Sequence, residues 1–393
     1  MKIAARAQRI TPSSTLAISA KAKAMKAQGI DVVGFGAGEP DFDTPEHIGD
    51  AAKQAIDDGQ TKYTSGIVEL KQAISKAFLR DYGLEYAAAE TCVGVGAKHV
   101  LHTACQVVCD PGDEVIIFAP YWVSYPEMIR MAEAQPVVVA CTQANGFVPD
   151  PDDVERAISE RTVAIIMNSP CNPTGVVYPH ETIRALTELA VKHGVLLISD
   201  ECYDKILFDG LTPLCPATLG DAARAHTLVV NAASKPYSMT GWRVGWGLGP
   251  KDVVKGINDY FSHETSNPCS IALCAVAAGL LADQACVEEM RQAFQQRRDY
   301  VVERFAAMPE VSLVRPQGAF YAFPNVSAYY GRELGGLQVD NSLTFCQYLL
   351  EKALVAAVDG GGFGADDCLR ISFATSMAQL EKGLDRIEGA LQG

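Results

Sequence analysis

Residues 163–203 read VAIIMNSPCNPTGVVYPHETIRALTELAVKHGVLLISDECY, and this stretch decides the fold. The runs 163–167 and 195–199 are short, aliphatic and β-branched, as buried strands are. Between them lie a Pro/Gly turn and, over 181–193, apolar residues at helical spacing. Working outward, similar runs occur at 115–119, 137–140 and 227–231, with helical patterns between several of them. Apolar strands alternating with amphipathic helices predict an α/β unit whose mostly parallel sheet is covered on both faces. Ligands in such folds sit beyond the carboxyl ends of the strands. The residues just after each run are therefore where chemistry is expected.

From residue 285 onward the pattern changes. A long helix is predicted over 285–308, short strands over 319–323 and 369–373, and a helix at the end. This reads as a smaller α+β unit. The expected division is an N-terminal segment, 1–45, packing with the small domain, a large domain over 46–284, and the small C-terminal domain over 285–393. The glycine-rich residues 359–364, DGGGFG, read as a loop. There is no internal repeat and no low-complexity linker.

A chain of 393 residues can bury a large core and holds two or three domain-sized units. It is 48% hydrophobic and 20% charged, as globular proteins are. Its net charge of −14 argues against nucleic-acid partners and anionic membranes, which select basic surfaces. Acidic substrates stay possible, because a local cationic pocket can sit in an acidic protein. The 12 cysteines are scattered, several of them in apolar runs (Cys105, Cys109), and no C-x-x-C occurs. They are expected as buried free thiols of a reducing cytoplasm. The opening MKIAARAQRITPSSTLAIS lacks the continuous apolar core of a signal peptide, and no long uncharged apolar stretch predicts a membrane span.

Residues 234–243, SKPYSMTGWR, follow the run 227–231. A lysine at a strand's carboxyl end can bond covalently to a cofactor aldehyde; a loop lysine is also commonly just solvated. Arg243, among glycine and tryptophan, favours the first reading for Lys235, since a guanidinium fork suits a phosphate. Asp200 stands just past the run 195–199. It can cap a helix, or it can hold a pyridine nitrogen protonated and so make the ring an electron sink. Tyr203 can donate to an oxygen on that ring or be an ordinary half-buried tyrosine. Asn172 lies in the turn 168–175, NSPCNPTG, which can point its amide at the same oxygen.

Residues 93–101, VGVGAKHVL, lack the third glycine of a dinucleotide site. A glycine turn that opens a helix still offers free N–H groups at the positive end of the helix dipole. Gly96, Ala97 and Lys98 are therefore candidates for a phosphate cradle. His99 and His102 have no evident third ligand and are not read as a metal site. Trp122, after the run 115–119, can stack on a flat heterocycle or fill core. Arg370 lies inside the apolar run 369–373, where a guanidinium is costly unless a substrate carboxylate or a structural acid pairs with it.

Together these segments resemble the class I, fold-type I aminotransferases, above all their bacterial-type aspartate aminotransferase branch. The resemblance runs over nearly the whole chain and includes residues 37–45, AGEPDFDTP, and 121–127, YWVSYPE. It implies a large domain built on a mostly parallel sheet flanked by helices, plus a smaller α+β domain. It implies an enzyme that moves the amino group of an L-amino acid, aspartate or glutamate in that branch, to a 2-oxo acid with pyridoxal 5'-phosphate as cofactor. The cofactor would be bonded to Lys235, with Asp200 at the ring nitrogen, Asn172 and Tyr203 at the phenolic oxygen, and Trp122 against the ring and the substrate. Gly96, Ala97 and Arg243 would contact the phosphate. Arg370 would bind the substrate α-carboxylate, helped by Gly38 and Asn172. Tyr63 matches a tyrosine that reaches the phosphate of a neighbouring subunit, which implies a homodimer with shared active sites. Lys98 and Ser13 match a lysine and a serine of the bacterial branch; Lys98 then selects dicarboxylates, or else contacts only phosphate or solvent.

Three features depart from the family pattern. Ala232 stands where a serine is common, the segment after Tyr63 is shorter than usual, and residues 256–268 hold no arginine, where animal-type aspartate enzymes place one for the distal carboxylate. Transfer to aromatic, alanine or prephenate-type substrates and a lyase reaction on the same fold are the alternatives. A cofactor-sensing transcription regulator does not fit an acidic chain with no basic helix-turn-helix extension.

Overall fold

Strands form where the apolar runs fall. The computed structural model describes residues 2–3, 8, 10, 14–63 and 66–392. Its strands are β1 (Val33–Gly34), β2 (Thr91–Gly94), β3 (Glu114–Ala119), β4 (Gln135–Ala140), β5 (Thr162–Asn168), β6 (Leu196–Asp200), β7 (Thr227–Ala232), β8 (Gly245–Leu248), β9 (Tyr321–Ala322), β10 (Arg332–Leu334), β11 (Leu337–Val339), β12 (Val355–Ala356), β13 (Val358–Asp359) and β14 (Leu369–Ser372). Seven of them make one sheet in the order β2-β8-β7-β6-β5-β3-β4. Strands β7, β6, β5, β3 and β4 are parallel; β8 is antiparallel to both its neighbours.

The central strands are apolar throughout because both faces of the sheet are covered. Successive side chains point to opposite faces. Val115, Ile117, Ile166 and Ile198 join a core shared with Val100 and Leu101 of helix Ala97–Val108. Ile116, Ile165 and Leu197 join another, with Ile183 and Leu186 of helix His180–His193. This is the α/β architecture expected from the sequence.

Two strands of the sheet, β2 and β8, are absent from the apolar runs. The reason is visible in β8, whose sequence GWGL alternates glycines. A Cβ on Gly245 would lie 2.2 Å from the Ala97 nitrogen, and one on Gly247 would lie 2.8 Å from Cys92 Sγ. The strand must therefore press its backbone against the start of helix Ala97–Val108, which removes the side chains that signal a strand.

In the C-terminal part β13, β14 and β9 form a small antiparallel sheet. The run 319–323 pairs only at Tyr321–Ala322, and the predicted helix 285–308 spans Ala285–Ala307. The expected loop 359–364 starts as β13 and continues as a single tight turn, Gly361–Phe363. Near the N-terminus, β1 pairs in parallel with β12, and Arg386 holds Asp31 at 2.7 Å. Among the described residues no single helix is long and apolar enough to cross a membrane.

The close approach at Gly245 gives a test. Gly245→Ala should destabilise the protein by about 1–3 kcal/mol, the usual cost of overpacking. Denaturant unfolding reads this, and a variant indistinguishable from the parent would contradict the contact.

Candidate active site

The parallel strands end together. Asn168 and Asp200 are paired across β5 and β6, and Asp200 is paired with Val230 of β7. Beyond these ends lies a cleft of about 350 Å³. The turn after β5 is tied to the strand ends through Asn168. Its amide donates to the Asp200 carbonyl at 3.0 Å, and its side-chain oxygen accepts from the Asn172 N–H at 2.9 Å.

Asp200 is buried and lines the cleft. Tyr125 donates to its Oδ2 at 2.7 Å, and the Cys202 N–H donates to its Oδ1 at 3.2 Å. Burial raises its pKa, opposed by these two donors and by the Lys235 charge. A carboxylate kept in so dry a place strongly favours a cationic neighbour.

Lys235 sits in the turn after β7, with Nζ donating to the Gly38 carbonyl at 2.5 Å. Loss of hydration pulls its pKa down to about 8; Cys202 and Glu39 oppose this, while the Arg370 and Arg243 cations add to it. The amine is thereby brought close to its neutral, nucleophilic form near physiological pH.

Arg370, in β14, enters the cleft from the small sheet. Its Nη1 donates to Asn172 Oδ1 at 3.0 Å and its Nη2 to the Gly36 carbonyl at 2.9 Å, while Nε is buried with no partner. Its guanidinium lies 4.7 Å from the Tyr321 ring centre and 5.1 Å from that of Phe363. Burial lowers its pKa. Its hydrogen bonds go to neutral oxygens and its faces to aromatic rings, and among the described residues no acid forms an ion pair with it. Tyr203 Oη lies 2.9 Å from Tyr321 Oη.

Gly96, with φ of +83°, opens helix Ala97–Val108. A Cβ there would lie 2.6 Å from Arg243 Nη2, so the helix N-terminus and the guanidinium converge on one point. Arg243 otherwise donates to the Thr240 carbonyl at 2.7 Å. Lys98 Nζ lies 4.7 Å from the Trp122 ring centre, and both residues line the cleft. Burial and the Arg243 charge lower the Lys98 pKa.

The structure thus gathers Gly38, Ala97, Lys98, Trp122, Asn172 and Asp200 in one cleft with Tyr203, Lys235, Arg243 and Arg370, and Gly96 borders it through Arg243. Tyr63 lies outside the cleft and is 85% exposed, its carbonyl accepting from Asn267 Nδ2. Ser13 lies outside the described residues. His99 is tied to Glu264 at 2.8 Å and stacked on Phe261, and no group of three metal-binding side chains occurs among the described residues.

Sequence reading missed Tyr125, Tyr321 and Glu39 as cleft residues. Tyr125 and Glu39 stand in segments already singled out. Tyr321 has no motif of its own, because only β9 pairing with β14 brings it to Arg370.

A cleft with a depressed lysine, a buried aspartate and an unpaired guanidinium, at the strand ends of an α/β sheet, defines a class of group-transfer enzymes. The sequence profile of the aminotransferase class I and II family matches residues 30–387, and the chain belongs to that family. It is an aminotransferase. It is 49% identical to the aspartate aminotransferase of Geobacillus stearothermophilus over 98% of both chains. It is 44% identical to the aspartate/prephenate aminotransferase of Thermus thermophilus, also over 98% of both. Its backbone matches the crystal structure of the Rhizobium meliloti aspartate aminotransferase with a TM-score of 0.96 at 42% identity, covering 100% of this chain and 99% of that one.

The unpaired guanidinium implies a trade of stability for binding. Burying an ion costs several kcal/mol, while two hydrogen bonds to neutral oxygens return about 1.5–3 kcal/mol each. Arg370→Met should therefore keep its thermal midpoint within about 4 °C of the parent, or raise it. A fall of roughly 8 °C or more in calorimetry would mark the cation as structural.

Proposed function

We propose that the chain is a pyridoxal 5'-phosphate-dependent transaminase that takes its amino group from aspartate or glutamate, passes it to a 2-oxo acid, and works as a homodimer with shared active sites. The observation that carries this reading is Arg370, a buried cation lacking a carboxylate, in the same cleft as Lys235. A substrate α-carboxylate supplies what it lacks.

The residues present fit the cofactor. Lys235 would hold its aldehyde carbon and Asp200 its ring nitrogen. Asn172 and Tyr203 would hold the phenolic oxygen and Trp122 the ring face. The N-terminus of helix Ala97–Val108 and Arg243, which converge at Gly96, suit the phosphate. Ala232 lines the cleft without a hydroxyl, so the phosphate has one donor fewer than is common. When bound, the cofactor supplies an aldehyde and a protonated ring that draws electrons from the substrate Cα.

The side chains then divide the remaining work. Arg370 fixes the α-carboxylate and so orients the Cα–H bond. The amine of Lys235, with its pKa lowered to about 8, would take the Cα proton. Asp200, buried and held by Tyr125, would favour a positive charge on the ring nitrogen. Lys98 would meet the distal carboxylate. Relatives named aspartate aminotransferase support this choice, and the Thermus enzyme was solved with maleate, a dicarboxylate. Tyr63, exposed and outside its own cleft, would serve the partner's phosphate.

A second reading, transfer to prephenate, draws on the name of the Thermus relative and on a cavity of about 510 Å³ adjoining Lys98, with Tyr121, Met128 and Arg130 in its wall. We assign residues 46–284 to the large domain, and 1–45 with 285–393 to the small one, a division supported by the β1–β12 pairing. We place the enzyme in the cytoplasm; all its cysteines are unpaired, as in a reducing compartment.

Two experiments test the reading. Cofactor-free protein mixed with pyridoxal phosphate should bind it covalently at a rate that rises about tenfold per pH unit up to about 8 and then levels, since only the neutral amine attacks. An inflection near 10.5, or a peptide map with no adduct at Lys235, would contradict the assignment. Across a panel of amino acids, Lys98→Met should cost aspartate and glutamate roughly 10–150-fold in kcat/KM, the worth of a charged hydrogen bond, and phenylalanine much less. Equal losses would reject the acidic-side-chain role.

A further inference from the structure

The turn after β6 has two sides. Asp200, Cys202 and Tyr203 line the cleft. Glu201 and Asp204 instead line a cavity of about 10 Å³ on the other side, the size of a single water, and Asp204 also borders one of about 30 Å³ beside Lys205. Both carboxyl groups are buried, each residue 4% exposed. Glu201 Oε1 accepts from Ser199 Oγ at 2.9 Å, and the Cys215 thiol lies beside it. Asp204 Oδ2 accepts from Tyr82 Oη at 2.8 Å, while Oδ1 has no partner.

Cations are scarce there. Lys205 lies 2.9 Å from Asp81 and 3.5 Å from Asp204, so its charge is shared by two acids. Arg80 is spent on Asp81 at 2.7 Å. Tyr178 and His180 line the same small cavity as Glu201, the His180 ring bonded to the Thr212 carbonyl at 3.0 Å; Tyr82 and Tyr86 also face Glu201, and Arg224 stacks 4.3 Å from the Tyr86 ring centre. Burial beside a second acid, with one lysine shared between Asp81 and Asp204, disfavours the ionised form of Glu201; the Cys215 and Ser199 donors and the Lys205 charge work against this. Burial first, then Asp204, push the Glu201 pKa up to about 8.

The backbone links this network to the cleft. Asp204 N–H bonds to the Glu201 carbonyl at 3.0 Å, and the Glu201 N–H bonds to Val230 of β7 at 2.8 Å. Asp200 and Tyr203 are the residues immediately before Glu201 and Asp204. We propose that Glu201 is a positioning residue: buried beside Asp204 and bonded to Ser199, it locks the turn 200–205 so that Asp200 and Tyr203 keep their aim into the cleft.

The sign follows from linkage. A buried acid with a raised pKa stabilises the closed turn fully at low pH, and that contribution is lost as pH rises through about 8. The inference rests on the proposed cofactor, so the test reads cofactor affinity directly. The dissociation constant of pyridoxal phosphate is measured by absorbance between about pH 6.5 and 9.5, for the parent and for Glu201→Gln, which mimics the neutral acid.

The parent should weaken about tenfold across the range relative to Glu201→Gln, which should match it within about twofold at pH 7 and lack the alkaline rise. Glu201→Leu, which loses the Ser199 bond, should be weaker at every pH. Identical pH profiles for parent and Glu201→Gln would overturn the proposal, as would Glu201→Gln binding at pH 7 as poorly as Glu201→Leu. The Gln comparison decides even if the Leu variant fails to fold. A parent that binds no pyridoxal phosphate at any pH would instead overturn the cofactor reading, so the two failures are separate.

Discussion

Arg370 carries its charge into a buried place where, among the described residues, no acid pairs with it, and much of the site is arranged around that fact. Its fork bonds Asn172, in the turn after β5, and the Gly36 carbonyl, just after β1, while its own strand belongs to the small sheet. One guanidinium therefore joins the N-terminal segment, the large sheet and the small sheet. Each hydrogen bond goes to a neutral oxygen, which orients the cation without neutralising it. An uncompensated buried charge is expensive, and the expense makes a carboxylate ligand welcome.

The same logic runs along the carboxyl edge of the sheet. Parallel strands end in register, so Asn168, Asp200 and the turn after Ala232 arrive side by side. Burial then acts on opposite charges in opposite senses, raising Asp200 and lowering Lys235. A single dry environment therefore prepares both an acid that seeks a positive partner and an amine able to react. Tyr125 and Gly38 hold these two groups by single short bonds.

The cleft also depends on close backbone approach. Gly245 lets β8 press against Ala97, and Gly96 lets the helix N-terminus face Arg243. Side chains at either position would separate the elements whose N–H groups and guanidinium form the proposed phosphate cradle. On the other side of the β6 turn, Glu201 and Asp204 are buried beside small cavities, with Lys205 shared between Asp204 and Asp81. The turn is thus held from both sides.

Much of this was legible in the chain itself. Five parallel strands show as aliphatic runs because both their faces are buried, and that requirement is local to each run. Lys235, Asp200 and Asn172 follow their runs directly, so strand ends plus motif spacing located them. Strands β2 and β8 were not legible, since glycine there answers to a neighbour distant in sequence. Tyr321 and the unpaired state of Arg370 needed the tertiary structure, because a charge is unpaired only with respect to everything that packs around it. The same holds for Glu201, whose sequence shows an acid beside an acid; only packing buries it and so raises its pKa.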